Sequence, residues 1–163
     1  MNTQIKYLLT ILCFLIHTQL NAQMELGKGS PVDPMPAHIR ALTTFGERCD
    51  WSHDGKYLIF LEKSFGDVYE VEVATGKLRP LTHHFFHQGF LRALYLSNGD
   101  YLLVGAKTFD PANAWKSRSP EQAELWVLKK DLLTPPVPLG AFCKEGPTAS
   151  RRQMKIAWTI NDI

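Results

Sequence analysis

Three histidines within five positions, His83-His84-Phe85-Phe86-His87, form the densest set of potential metal ligands in this sequence. Imidazole binds zinc well, but a structural site takes four ligands and a catalytic site takes three plus water. The segment contains no cysteine or carboxylate. A zinc-protease helix would carry Glu directly after its first His, and Phe85 and Phe86 argue for packing. The cluster therefore reads as a connection between structural units. Glu70 and Glu72 are the nearest thing to an acid/base pair. Two positions apart on a strand they share a face, where the plain expectation is a solvated edge. No serine stands in a Gly-x-Ser-x-Gly elbow; Ser52, Ser64, Ser97, Ser117, Ser119 and Ser150 fall in turns or polar loops. Gly27 and Gly29 precede any strand, so they form no phosphate loop. No catalytic, cofactor-binding or metal-ligating residue is expected, and no enzymatic activity.

One segment suits recognition better than reaction. Phe109 to Gln122, FDPANAWKSRSPEQ, places Trp115 beside Lys116 and Arg118 on a long loop. An aromatic anchor with neighbouring cations is a composition favoured at binding hot spots, and long loops in small domains are often functional. The competing expectation is that Trp115 folds back to cap its own sheet. Arg151-Arg152 is too short a charge run to carry an argument.

The elements that would position these residues are strands. Tyr57–Leu61 (YLIFL) and Tyr101–Val104 (YLLV) are short apolar runs bounded by turn residues, so both faces need cover. Asp67–Val73 (DVYEVEV) alternates instead, with Tyr69, Val71 and Val73 on one side and Glu70 and Glu72 on the other, as a half-exposed strand would. Asp54-Gly55 and Asn98-Gly99 are strong hairpin signals because Gly and Asn tolerate positive φ cheaply. Thr75-Gly76 makes a further turn, and Lys77–Thr82 follows as an outer strand on which Pro80 is tolerable.

These elements repeat. Cys49–Phe60 (CDWSHDGKYLIF) overlays Ala93–Val104 (ALYLSNGDYLLV) at an offset of 44 residues, and Lys155–Asp162 begins a third copy. Ala41-Leu42-Thr43, Pro80-Leu81-Thr82 and Pro138-Leu139-Gly140 stand in matching places before each unit. A period near forty with hairpin signals points to propeller blades, whose apolar faces are buried by radial stacking. The expected fold is all-β: a partial β-propeller of about two four-stranded antiparallel blades, near 42–82 and 83–140, plus the first strand of a third, within 39–163. Closed rings need at least four blades, so the propeller is expected to be incomplete.

Ahead of the repeats, Met1–Lys6 is short and basic, Tyr7–Ile16 is apolar, and His17–Gln23 is polar, the layout of a secretory signal over residues 1–22. The apolar run is too short to span a bilayer, which needs ~20 residues. Cleavage is expected after Ala22, although Leu20 is larger than the pattern prefers. Leu12 before Cys13 departs from a lipid-attachment site, which favours release over anchoring. Residues 23–38, rich in proline, read as an extended lead-in. An oxidising compartment would permit Cys49 and Cys143 to pair, though each serves equally as a small buried hydrophobe. The 163 residues are 45% apolar and 21% charged with a formal net charge of +2, a field too weak to suggest nucleic acid or an anionic membrane.

Trp51-Ser52-His53-Asp54-Gly55-Lys56, the apolar strand to Phe60, Val68-Tyr69, Thr75-Gly76-Lys77 and Arg79-Pro80-Leu81-Thr82 together resemble the TolB-like (WD-repeat-like) propeller repeat. That pattern is roughly W-S-P-D-G-K, an apolar strand, I-Y-x-x-D, T-G-x and a closing L-T. His53 replaces its proline. The second unit is looser, with Tyr95-Leu96-Ser97-Asn98-Gly99 and the insertion at Phe109–Gln122. The resemblance implies a periplasmic or secreted scaffold that binds a protein partner without cofactors. Its alternative is the N-terminal propeller portion of an exported prolyl-oligopeptidase-like hydrolase.

Overall fold

A computed structural model describes residues 35–143 and 146–160. The expected secretory signal, most of the lead-in and the last residues of the third copy lie outside the described residues. Residues 35–40 belong to a separate unit, in which Ile39 N–H donates to the Pro36 carbonyl at 2.8 Å.

From Ala41 onward the chain is all-β. Strands β1 (Glu47–Trp51), β2 (Tyr57–Leu61), β3 (Val68–Glu72) and β4 (Leu78–Pro80) form one antiparallel sheet in sequential order. Strands β5 (Phe90–Tyr95), β6 (Tyr101–Ala106), β7 (Ala123–Leu128) and β8 (Val137–Phe142) form a second sheet with the same order. Two short strands, β9 (Thr148–Ala149) and β10 (Ile156–Ala157), pair as a small hairpin. This is a partial propeller-like architecture. The two expected strands at Tyr57–Leu61 and Tyr101–Val104 lie in different sheets, and Pro80 stands on an edge strand, where its missing donor costs little.

The turn residues explain the hairpins. Ser52 Oγ donates to Asp54 Oδ1 at 2.8 Å, and the same hydroxyl oxygen accepts the Tyr57 N–H. Asp54 also accepts the Lys56 N–H. Those contacts, the Ser52 hydroxyl foremost, hold the Asp54 carboxyl below its ordinary range. In the second sheet Asn98 Oδ1 accepts the Asp100 N–H, and Asp100 accepts from Lys130 N and Lys129 Nζ. Gly55 and Gly99 both have positive φ, as the turns demand.

The register corrects the sequence overlay by one residue. Trp51 pairs with Leu58, whereas Tyr95 pairs with Tyr101. The first turn thus has one residue more than the second, so Leu58, not Tyr57, is the counterpart of Tyr101. With a side-chain period of two, this slip puts Tyr57 and Tyr101 on opposite faces of their own sheets.

The sheets pack face to face. Ile59, Leu61 and Val68 of the first sheet share one buried cluster with Ala93, Tyr95, Tyr101, Leu103 and Leu128 of the second. The opposite face of the second sheet, with Leu94, Leu102, Val104 and Leu125, is covered by Ala149, Ile156 and Trp158. Every residue of β6 is buried, as a strand sandwiched between two layers requires. Truncating a central side chain such as Leu103 to Ala removes about 2–5 kcal/mol.

Candidate functional site

The connection between β6 and β7 is an ordered structure of its own. Lys107 N–H donates to the Gln122 carbonyl at 2.8 Å and closes its base. Asp110 Oδ1 accepts the N–H groups of Ala112 and Asn113, and Asn113 Oδ1 accepts that of Lys116. A single 3-10 turn follows at Lys116–Arg118. Ser117, 1% exposed, is driven inward, and its Oγ accepts the Asp110 N–H at 2.7 Å. Phe109 fixes the loop to the first sheet's connection, with its ring centroid 4.9 Å from that of Phe65.

This scaffold turns Trp115 outward. The side chain is 75% exposed, and the Arg118 guanidinium sits 4.9 Å from the ring centroid. Trp115 therefore does not cap its own sheet. A tryptophan that has given up hydrophobic burial, on a backbone whose polar groups are satisfied locally, is poised to bury its ring against something else. A cavity of about 310 Å³ opens at the base of the same loop, lined by Thr108, Phe109, Asp110, Lys116 and Gln122.

A second constellation lies between the sheets. Glu70 is not on a solvated edge: it is 5% exposed. Its Oε1 accepts from Arg79 Nη2 at 2.8 Å, and its Oε2 accepts the hydroxyl protons of Tyr95 at 2.9 Å and Tyr101 at 3.3 Å. The expectation failed because it treated β3 as half-exposed. In a stacked sheet both faces are covered, and an acid survives burial when enough donors reach it. Glu72 stays half-buried, accepting from Thr75 Oγ1. Burial, then the Glu70 charge, pushes the Tyr101 hydroxyl up to about 12 and Tyr95 higher still. The cluster floors a cleft of about 790 Å³ whose rim includes Tyr57, Lys77, Arg79 and Lys130.

The three clustered histidines separate. His83 and His84 are exposed. His87 Nδ1 accepts the Gly89 N–H, which leaves the proton on Nε2 to be donated to Asp67 Oδ1 at 3.0 Å. Thr82 Oγ1 donates to the same carboxylate oxygen while accepting the Val68 N–H. His87 is thus a strut between β3 and the connection that leads to β5. Phe85 packs against the core as expected, but Phe86 is 88% exposed. Among the described residues no group of three or more His, Cys, Asp or Glu side chains could hold a metal. Cys49 is exposed and Cys143 is buried in the second sheet, and no disulfide joins them.

Arg151, which the sequence left without a role, reaches back to the first strand. Its guanidinium donates to the Trp51 carbonyl at 3.2 Å and to Asp50 Oδ1 at 3.4 Å, while Asp50 Oδ2 accepts the Tyr95 N–H. No signal short of the propeller topology could have paired residues 101 positions apart.

No protein family, no curated protein and no solved structure matches this sequence.

Proposed function

We propose that this chain is an exported, non-enzymatic scaffold of TolB-like propeller units that binds a protein partner through the Trp115 loop. The outward Trp115 ring on an internally hydrogen-bonded loop carries this reading. Large aromatic anchors beside Arg contribute disproportionately to protein interfaces. A rigid loop also forfeits less conformational entropy on binding than a floppy one. The small net charge favours a protein over a nucleic acid. The signal-like N-terminus and the resemblance of Trp51–Lys56 to the TolB-like repeat support export and scaffold architecture.

The test compares chain 23–163 with its Trp115→Ala and Arg118→Glu variants, immobilised at equal density and exposed to envelope and secreted proteins of the native cell. A partner retained by the parent and lost by at least tenfold in both variants, with unchanged melting temperatures, supports the assignment. Equal retention by all three removes the loop from the interface. Detectable peptide or ester hydrolysis by the purified chain would overturn the non-enzymatic reading.

A further inference from the structure

The first sheet turns two successive cross-strand rows toward the second. One row is Ile59, Glu70 and Arg79. The other is Tyr57, Glu72 and Lys77, in which the Glu72 N–H donates to the Lys77 carbonyl at 2.9 Å. The inner row is closed over, with Ile59 and Glu70 buried beneath Tyr95 and Tyr101. The outer row is not: Lys77 is exposed and Glu72 half-buried. The second sheet contributes Ser97, Asn98, Gly99 and Lys130 to the opposite wall. The sheets part here, and the space between them is the cleft of about 790 Å³. Cavities of about 300–1,000 Å³ are the size that holds small ligands.

The charges lining this cleft do not cancel internally. Glu70 is held by Arg79, and Asp54 pairs with Lys56, which stands outside the lining. Glu72 accepts from the Thr75 hydroxyl. Among the described residues neither Lys77 nor Lys130 has a carboxylate partner, and the Lys130 ammonium donates only to the Asn98 carbonyl. What remains is Lys77 and Lys130 against Glu72, a surplus of positive charge. Hydrogen-bond donors are in surplus too. Arg79 uses Nη2 on Glu70 and Tyr101, which fixes the guanidinium, while Nη1 and Nε have no protein acceptor among the described residues. The Tyr57 and Ser97 hydroxyls also lack partners there. The walls beside these donors are rings: Tyr57, Tyr95, and His53, which meets Tyr95 edge-on.

We infer that this cleft binds a small organic acid, a single carboxylate on a body that carries a flat ring. The carboxylate lies among Lys77, Lys130 and the unused donors of Arg79, and the ring rests against Tyr57 and Tyr95. The surplus charge suits a monoanion, because Glu72 at the mouth repels a second negative group. A neutral ligand of the same shape gains nothing from the two ammonium groups. A guanidinium already oriented by a buried acid makes a charge-assisted hydrogen bond with little freedom left to lose. The cleft belongs to other elements than the Trp115 loop, so the two sites are independent.

The probe is the dipeptide acetyl-Leu-Phe with its free carboxylate, set against the same dipeptide as its C-terminal carboxamide and against inorganic phosphate. Each is titrated into the purified chain by calorimetry, and amide chemical shifts locate the binding. The free acid is expected to saturate the chain, to bind about tenfold or more tighter than the carboxamide, and to shift Tyr57, Asn98 and Gly99. Lys77→Glu and Lys130→Glu are each expected to weaken it by about tenfold with unchanged melting temperature, since both side chains are exposed. Where a reversed charge disturbs folding, Lys77→Gln and Lys130→Gln carry the same test. Failure of the acid to bind overturns the proposal, as does equal affinity for acid and carboxamide, which would make the contact purely apolar. Phosphate binding as tightly as the acid would dismiss the ring. Full affinity in both lysine variants, or affinity lost in Trp115→Ala, would place the acid elsewhere and overturn the assignment as well.

Discussion

Tyr95 on β5 donates its hydroxyl proton to Glu70 on β3 at 2.9 Å, a bond that passes from one sheet to the other. With Tyr101 and Arg79 it surrounds a buried carboxylate by three donors. Hydrophobic packing brings the sheets together, but it is tolerant of sliding; this cluster sets one alignment.

Replacing Glu70 with Val, the residue that stands at this register in the second sheet, leaves both tyrosine hydroxyls and Arg79 without their acceptor. Each orphaned buried group costs about 1–3 kcal/mol, but Arg79 is half-exposed and turns to water. Urea unfolding is expected to show a loss of about 2–3 kcal/mol. A change below about 0.5 kcal/mol would mean that the sheets are aligned by packing alone.

The same tyrosines predict alkaline behaviour. Their folded values lie above the unfolded value of about 10, so their contribution is intact below pH 10. It declines as pH rises from about 10 through the Tyr101 value of about 12. Ultraviolet titration near pH 12 is expected to show the Tyr101 ionisation together with loss of β-sheet circular dichroism. Ionisation of all tyrosines at pH 10 with the fold intact would contradict the burial.

Asp100 predicts the acid limb. Burial raises its value, but the Lys130 N–H, Lys129 and Asn98 outweigh it and hold the carboxyl below the ordinary carboxylate range. A depressed folded value stabilises above the unfolded one and is lost as pH falls through the folded one. Asp100→Asn should therefore melt lower than the parent at pH 7, and the gap should narrow as acidification protonates Asp100.

Gly89 has φ +86, and a Cβ there would overlap the Phe65 carbonyl. Gly76, at φ +73, has open space around the same atom. Gly89→Ala is expected to cost about 3 kcal/mol or more, from strain plus overlap. Gly76→Ala should cost about 1–2 kcal/mol, from conformation alone. Equal losses in thermal unfolding would refute the close approach.

Strands and turns were legible because each rests on local chemistry: YLIFL and YLLV lie between the Asp54-Gly55 and Asn98-Gly99 turns and their neighbours. The repeat identified which strands form a unit. It could not see the extra residue in the first turn, because Tyr57 and Tyr101 match in type while the Ser52 hydroxyl bridge lengthens the loop by one. Glu70 was misplaced for a related reason. Alternation along β3 shows two faces, but only the tyrosines of another unit reveal that the acidic face is covered. The loop at Phe109–Gln122 was recognisable as an insertion, whereas the direction of Trp115 depends on Ser117 turning inward, a choice that no residue type announces.

Arg151 gives the molecule an order of assembly. Its guanidinium closes onto Asp50 and the Trp51 carbonyl across 101 and 100 residues. During synthesis the edge strand β1 therefore waits, its carbonyl still hydrated, until both later units have emerged. Closing so long a span is entropically slow. The first of the described strands to leave the ribosome is thus among the last to be finished.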